Sequence, residues 1–514
     1  MIQVSIDGQS IEVEAGTTVL EAAQMLGIHI PTLCHHPGLE PYGACRLCMV
    51  EVKSNGWSRL VTSCNYPIRW EIEVDTASEQ VIKGRKLLAE LFLARCPDAP
   101  NIQKLAAELG VTEPRFELGE DLCYLCGLCV RACEELIGQS AISFVGRGVE
   151  REVGTPFLKI SDDCIACGAC VFLCPTGAIS LEDITDKEPL PLLSDFDMGI
   201  ATRGNIFIPF PQAVPKVPTI DREHCLHYTL GTCGTCELFC EAGAIDYDQE
   251  DEFIDLDVDT LIVSTGFDMI DPEILGEFGY GKYSQVMTGL EFERLSSASG
   301  PTHGNIIVNG KKPKDVVFIH CVGSRDPHNG VSYCSRICCM YTAKHAHLVR
   351  DKLPDANITV FYMDVRAFGK GYEEFYDRVK HERVTYRRGE PSEVYRKGDR
   401  LVVRSEDTLL RKTVEVEADL VVLATAIIPR TDADQMAEKL GLDVSADGFF
   451  QETHPKVQPV DSNRPAIFLA GCCQGPKDVP DTVAQAKAAA ASALVVLAGG
   501  APSQIAQSLS TEED

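Results

Sequence analysis

The chain is poor in aromatic residues, which make up 7% of it with only two tryptophans, and poor in positive charge. Its 47 Lys and Arg stand against 76 Asp and Glu, a net charge of −29 over 514 residues. Nucleic-acid binders concentrate basic residues on one face or stripe. No basic patch stands out here, so nucleic acid is not an expected partner. The opening stretch MIQVSIDGQSIEVEAG lacks the basic and apolar regions of a secretory signal. The longest apolar run near the C-terminus, AAAASALVVLAGG, is too short and too rich in alanine to span a bilayer and reads as a packed helix. A G-x-G-x-x-G dinucleotide loop occurs nowhere.

Cysteine is abundant, with 23 residues. In a small secreted chain that number would mean disulfides. In a large chain without a signal, with cysteines in tight C-x2-C groups, it reads as metal ligation in a reducing cytoplasm. The length predicts three or four domains.

Residues 1–20 alternate as IQVSI, a DG turn and IEVEA, which predicts a hairpin. TTVLEAAQMLG follows as a helix with a Thr cap and a stop at Gly27. This opening fits a β-grasp ferredoxin domain over 1–78. Cys34, Cys45, Cys48 and Cys64 are spaced C-x10-C-x2-C-x15-C, and the stretch between Cys48 and Cys64 is a hairpin turning at Asn55-Gly56. Three ligands on one irregular loop and a fourth returned by a strand suit a [2Fe–2S] cluster, with a structural zinc site as the rival. The first gap is longer than in plant-type ferredoxins. The pattern resembles the N-terminal domain of the large complex I subunit, and that of the diaphorase-linked subunit of NAD-reducing hydrogenases. His35 and His36 read as loop packing, since four thiolates already suffice.

Residues 79–118 read as a helical connector. That family can carry an extra His/Cys3 cluster there, but only Cys96 is present, so a buried or partly buried free thiol is expected. Over 119–182 two C-x2-C-x2-C-x3-C runs, CYLCGLCVRAC and CIACGACVFLCP, predict a two-[4Fe–4S] ferredoxin domain of bacterial type. In that pattern the fourth cysteine of each run serves the other cluster. One set is then Cys123, Cys126, Cys129 and Cys174; the other is Cys164, Cys167, Cys170 and Cys133. Pro175 follows the second run as the pattern prefers, whereas Glu134 follows the first. Gly127 and Gly168 allow close backbone approach. Residues 183–218 are a Pro-rich linker. Over 219–250, Cys225, Cys233, Cys236 and Cys240 are spaced C-x7-C-x2-C-x3-C, a third [4Fe–4S] set for which zinc remains open.

From 251 to 502 the pattern becomes α/β. DTLIVSTGF (259–267) and ADLVVLATAIIPR (418–430) read as buried strands, and AIFLAGCCQGPKDVPDTVAQAKAAAASAL (466–494) as strand, glycine-bearing loop and long helix. These resemble three signposts of the thioredoxin-reductase-like flavoprotein fold, with an inserted nucleotide-domain-like segment at about 305–400. VVFIHCVGSRD (316–326) ends a strand at Cys321. YCSRICCM then adds Cys334, Cys338 and Cys339, spaced C-x12-C-x3-CC. If that segment is helical, Cys334 and Cys338 share a face. The four thiols suit a non-standard [4Fe–4S] site at a strand-to-helix junction, with a redox-active dithiol as the rival.

The runs PFPQAVPKVP, CVGSRD with YCSRICCMY, DVRAFGKGYEEFY and AGCCQGPKDVPDTVAQA resemble the A subunit of heterodisulfide reductase over about residues 205–500. That resemblance implies an iron–sulfur oxidoreductase subunit with a flavin, and electron bifurcation at it. It implies cofactor contacts at Gly266, Gly323, Gly471, Lys477 and Asp478, the last two facing the flavin. The glycine-loop βαβ half of the flavoprotein fold is missing, and a ferredoxin module stands in its place. FAD is therefore expected to be completed by a partner chain. The alternative at QGPKD is a turn before the helix, with Asp481 as its N-cap. Cys472 and Cys473 read as packed near this loop, and Arg366 and Lys370 as nucleotide contacts or solvated charges. In all, one [2Fe–2S], four [4Fe–4S] and a shared FAD are expected in a cytoplasmic chain without a membrane span. It would relay electrons from an NADH-, hydrogen- or ferredoxin-linked subunit to a heterodisulfide-reductase-like one. Rival readings are a stand-alone NAD(P)H flavoprotein and a non-enzymatic wiring or thiol-sensing scaffold. The last residues, 503–514, read as a polar tail.

Overall fold

The computed structural model describes residues 1–54 and 56–499. The chain forms two compact units: 1–192 with 204–251, and 193–203 with 252 onward. Asn55 of the expected hairpin turn and the tail at 503–514 lie outside the described residues.

The first unit opens with β1 (Ile2–Ile6), β2 (Gln9–Val13) and α1 (Val19–Met25). Thr18 and Glu21 form a reciprocal capping box at the start of α1. Gly27, just beyond the C-cap, takes φ 71° and ends the helix. With β3 (Met49–Ser54), β4 (Trp57–Thr62) and β5 (Ile72–Asp75) the sheet order is β2-β1-β5-β3-β4, in which only β1 and β5 run parallel. Alternate residues Val4, Ile6, Val50, Val52 and Val74 face α1 and form the core of this β-grasp module. The connector is two helices, α2 (Glu79–Arg95) and α3 (Pro100–Glu108), packed around buried Cys96. Beyond them secondary structure becomes sparse. Short α4 (Leu128–Arg131) and α5 (Ala169–Phe172) each start at a left-handed glycine, Gly127 and Gly168.

The second unit carries β6 (Leu261–Val263) and a five-stranded parallel sheet. That sheet comprises β7 (Val286–Thr288), β8 (Asp315–Val322), β9 (Asn357–Tyr362), β10 (Val384–Arg388) and a strand at Leu420–Thr425, which pairs between β7 and β8. All six residues of Leu420–Thr425 are buried, as a parallel strand covered on both faces should be. Val316 and Phe318 join one core, Val317 and Ile319 the opposite one, following the two-residue strand period. α6 (Gly289–Ser296), α7 (Cys338–Lys352) and α8 (Tyr372–His381) belong to this part of the fold. An antiparallel sheet of three strands follows between Pro391 and Ala418.

β6 pairs in parallel with Ile467–Leu469 as a separate two-stranded sheet, followed by α9 (Val479–Leu497). Two expectations change here. The strand in 259–267 is only three residues long, and Ile262 is 40% exposed, because one neighbouring strand leaves most of its surface uncovered. The C-terminal run is a helix, but among its described residues only Ala489 and Ala493 are buried, while Leu494 and Leu497 are exposed. Among the described residues no helix is long and apolar enough to cross a membrane.

Phe318 is 1% exposed and meets Phe292 edge-on at 5.8 Å. Phe318→Ala should destabilise the second unit by about 3–5 kcal/mol, read as a lower denaturant midpoint for its transition.

Candidate metal centres

The first group of cysteines sits where the β-grasp sheet gives way to loop. Cys34, Cys45, Cys48 and Cys64 are all buried. They are arranged as two pairs. Cys45 hydrogen-bonds Cys34 and Cys64 hydrogen-bonds Cys48, which holds the accepting thiols, Cys34 and Cys48, below the ordinary thiol range. The donors, Cys45 and Cys64, are pushed well above the ordinary thiol range by the same bonds and by burial. A [2Fe–2S] cluster holds two thiolates on each of two irons, so two close pairs suit it better than one tetrahedral ion. Two buried arginines clamp the loop. Arg85 donates to the carbonyls of Leu47 (3.1 Å) and Met49 (2.7 Å), and Arg131 to those of Cys34 (2.6 Å) and Glu40 (2.5 Å).

The two ferredoxin-type runs fold as near copies. Leu125 and Ala166, each just before the second cysteine of its run, take φ 57° and 55°; Gly127 and Gly168 take 74° and 72°. Such left-handed turns aim successive N–H groups and thiols at one point. A cavity of about 540 Å³ is lined by Cys123, Cys126, Cys129 and Cys174. A second is lined by Cys133, Cys164, Cys167 and Cys170. The structure thus groups the cysteines with each run's fourth residue exchanged. Burial, together with neighbouring thiols, pushes Cys126 up to about 11, Cys129 to about 12 and Cys170 to about 11. Four thiolates crowded in low dielectric need a positive partner, which iron supplies when bound.

In the third group burial, with Cys236, Cys225 and Cys233 nearby, raises the Tyr247 hydroxyl, and its ring stacks on His227 at 3.8 Å. The sequence holds a further signal for this group. Cys174-Pro-Thr-Gly-Ala178 and Cys240-Glu-Ala-Gly-Ala244 share a turn, with Gly177 and Gly243 left-handed. In each the alanine N–H donates to the cysteine sulfur at 3.3 Å. The third segment therefore repeats half of the ferredoxin pattern. Phe239 of this segment lies edge-on to His36 at 5.3 Å, so His36 packs as expected. Among the described residues, no three Cys, His, Asp or Glu side chains converge closely enough to share a single metal ion.

In the second unit Cys321, one residue before the end of β8, takes φ 58°, a strained conformation for a residue with a Cβ. α7 begins only at Cys338, so Cys334 lies in the loop before it and does not share a helical face with Cys338. The cause is Arg336, whose left-handed φ of 68° interrupts any helix through 334–338. The Arg336 N–H donates to the Cys334 sulfur at 3.3 Å. Burial and the other thiols push Cys321 up to about 12 and raise Cys338 and Cys339. His320, buried beside Cys321 without a hydrogen bond on either nitrogen, is pushed down to about 4 and stays neutral.

Beside this group lies a cavity of about 660 Å³ with an apolar floor of Ile337, Met340, Phe368 and Phe375. Lys344, Arg366, Lys370 and Lys477 line it as cations, and Asp478 joins them. Lys344, which no motif in the sequence singles out, ion-pairs with Glu293 at 2.6 Å. Lys477 donates to Gln474 Oε1 at 2.6 Å. Asp478, not Asp481, is the N-cap of α9: its carboxylate accepts from the Asp481 N–H at 2.9 Å. Pro480 fits the first turn, and the cap stands three residues before the expected one. Gly266 and Gly471 sit beyond the carboxyl ends of the paired strands β6 and Ile467–Leu469. Gly323 packs elsewhere, where a Cβ would touch Ile270 at 3.0 Å. Cys473 is buried and donates to the Val263 carbonyl at 3.3 Å.

Residues 1–79 match the 2Fe-2S iron-sulfur cluster binding domain family, and residues 122–178 the 4Fe-4S dicluster domain family. The A subunit of the H(2):CoB-CoM heterodisulfide,ferredoxin reductase of Methanothermobacter thermautotrophicus is 47% identical over 343 residues, which are 66% of this chain and 49% of that protein. The chain is homologous to the A subunit of heterodisulfide reductase. The iron-sulfur A subunit of a Methanopyrus kandleri CoB--CoM heterodisulfide reductase is 49% identical over 362 residues, 70% of this chain and 52% of the relative. An Archaeoglobus profundus protein similar to the same subunit of heterodisulfide reductase is 40% identical over 454 residues, 78% and 62%. The chain spans about half the length of the first of these relatives. Among solved structures, a chain of an NAD+-reducing [NiFe]-hydrogenase aligns at 29% identity and TM-score 0.31, covering 37% of this chain and 90% of that one. The thioredoxin reductase of T. acidophilum aligns at 17% and 0.31, covering 46% and 64%.

The exchanged grouping has a direct check. Cys129→Ala with Cys174→Ala should remove about four iron atoms per anaerobically purified chain, since both cysteines would serve one cluster. Cys129→Ala with Cys133→Ala should remove about eight, since each would serve a different one.

Proposed function

We propose that the chain is an iron–sulfur electron-transfer subunit of a multi-subunit oxidoreductase of the heterodisulfide reductase type. The supporting observation is the two cavities each lined by four cysteines, with backbone N–H groups donating to sulfur there and at Cys240 and Cys334. Twenty cysteines would hold the clusters: Cys34, Cys45, Cys48 and Cys64 a [2Fe–2S]; Cys123, Cys126, Cys129 and Cys174, then Cys133, Cys164, Cys167 and Cys170, two ferredoxin-type [4Fe–4S]; Cys225, Cys233, Cys236 and Cys240 a third; Cys321, Cys334, Cys338 and Cys339 a fourth. When bound, such clusters accept and release single electrons. The protein's part is to exclude water, fix ligand geometry and donate hydrogen bonds to sulfur. The domain layout expected from sequence, with ferredoxin modules ahead of a partial flavoprotein domain, belongs to this reading.

Flavin, electron bifurcation and the redox partners enter at the cavity beside Cys338 and Cys339. Its cation-lined rim and apolar floor suit a planar ring carrying anionic groups. Lys477 and Asp478 line it, whereas Gly266 and Gly471 lie at strand ends where dinucleotides approach parallel sheets. With no glycine-rich loop in the chain, the rest of the flavin site would come from a partner subunit. The donor would be an NADH-, hydrogen- or ferredoxin-linked subunit; the acceptor would be a heterodisulfide-reductase-like one. This same cavity is what favours the second reading, a stand-alone flavoprotein oxidoreductase.

The chain purified without oxygen should carry about 18 iron atoms and matching sulfide. Flavin should appear only in the complex with co-purifying subunits, and Lys477→Ala should lower that flavin content. Flavin on the isolated chain with NADH oxidation would select the second reading. Iron far below the expected load would overturn both.

A further inference from the structure

The two arginines on the [2Fe–2S] loop have more to do than hold carbonyls. Arg131 is 6% exposed and Arg85 7%. Among the described residues both donate their guanidinium hydrogens to backbone carbonyls, not to carboxylates, and Arg131 Nε has no partner at all. The carboxylates nearby keep their charge, but among the described residues none pairs directly with either guanidinium. Asp7, whose field reaches Arg85, accepts from the N–H and hydroxyl of Thr76. Glu135 accepts from the Glu40 N–H at 2.8 Å. Buried guanidinium charge without a counter-ion is costly, and natural proteins pair it.

Placement names the missing counter-ion. Arg131 sits on the carbonyl of Cys34, in the Cys34–Cys45 pair. Arg85 sits on the carbonyls flanking Cys48, in the Cys48–Cys64 pair. Each thiol pair thus has one buried cation of its own. Arg131 is also the last residue of α4, between Cys129 and Cys133, which line the two different ferredoxin-type cavities.

We propose that Arg131 and Arg85 are the counter-charges of the [2Fe–2S] cluster, one to each cysteine pair, and that they raise its midpoint potential. Arg131 in addition ties the [2Fe–2S] loop to the segment Cys129–Cys133, whose two cysteines line the two ferredoxin-type cavities. Reduction adds one electron and one negative charge with no bond made or broken, so a fixed buried cation favours the reduced form. Both residues are positioning residues, acting through the cluster. The inference rests on the [2Fe–2S] assignment made above.

The test is potentiometry on the full chain, poised with dithionite and mediators and followed by the EPR signal of the reduced [2Fe–2S] cluster. Arg131→Gln should lower the midpoint by at least 59 mV, a tenfold change in a one-electron equilibrium. Arg131→Lys, which keeps the charge and loses the fork, should stay close to the parent. An unshifted Arg131→Gln midpoint would overturn the inference, as would equal shifts in the Gln and Lys variants, which would mean packing and not charge. Should Arg131→Gln fail to assemble the cluster, Arg85→Gln against Arg85→Lys carries the same comparison, and the same two results would support or overturn it. A parent chain with no [2Fe–2S] signal would instead overturn the cluster assignment itself.

Discussion

Thiols crowded away from water resist ionisation, and that single electrostatic constraint organises this chain. In the first unit the groups of cysteines lie largely in loops, which can turn successive sulfurs toward one region, and each loop is then stiffened by other means. In the ferredoxin-type runs the stiffening comes from left-handed residues at matching places, Leu125 with Gly127 and Ala166 with Gly168. At Cys174 and Cys240 it is a turn closed by an alanine N–H on sulfur. On the β-grasp loop it is a pair of buried guanidiniums.

The second unit meets the same constraint with regular structure. A buried parallel sheet takes a strained backbone conformation at Cys321, one residue before its strand ends, and a helix starts at Cys338. The rigid strand and helix hold three of the four thiols, and Cys334 is left to the short loop between. The adjoining cavity follows from this arrangement: the first turns of α7 supply part of its floor and one of its cations.

Much of this was legible in the sequence, because cluster ligation leaves a spacing that chain geometry cannot disguise. The β-grasp hairpin and helix and the buried strands at Asp315–Val322 and Leu420–Thr425 follow from period, and the two four-cysteine runs from spacing. What was not legible depends on packing between distant segments. Arg131 is 97 residues from Cys34 and looks like any helix-end arginine. The helical face assumed for Cys334 and Cys338 failed at Arg336, which no propensity marks as left-handed. The cap at Asp478 was misplaced because two aspartates stand three apart and both suit a helix start. The exposure of Leu494 and Leu497 reads as burial from composition alone, since an apolar helix does not reveal how much of its surroundings is present.

The path of the chain between its two units has a further consequence. Residues 193–203 belong to the second unit and 204–251 return to the first before the chain leaves it again. Neither unit is therefore a contiguous stretch of gene. A single recombination crossover at any of the three boundaries would strand a segment of one unit in the other's coding sequence. Modules joined end to end meet at one boundary in the gene; these two meet at three.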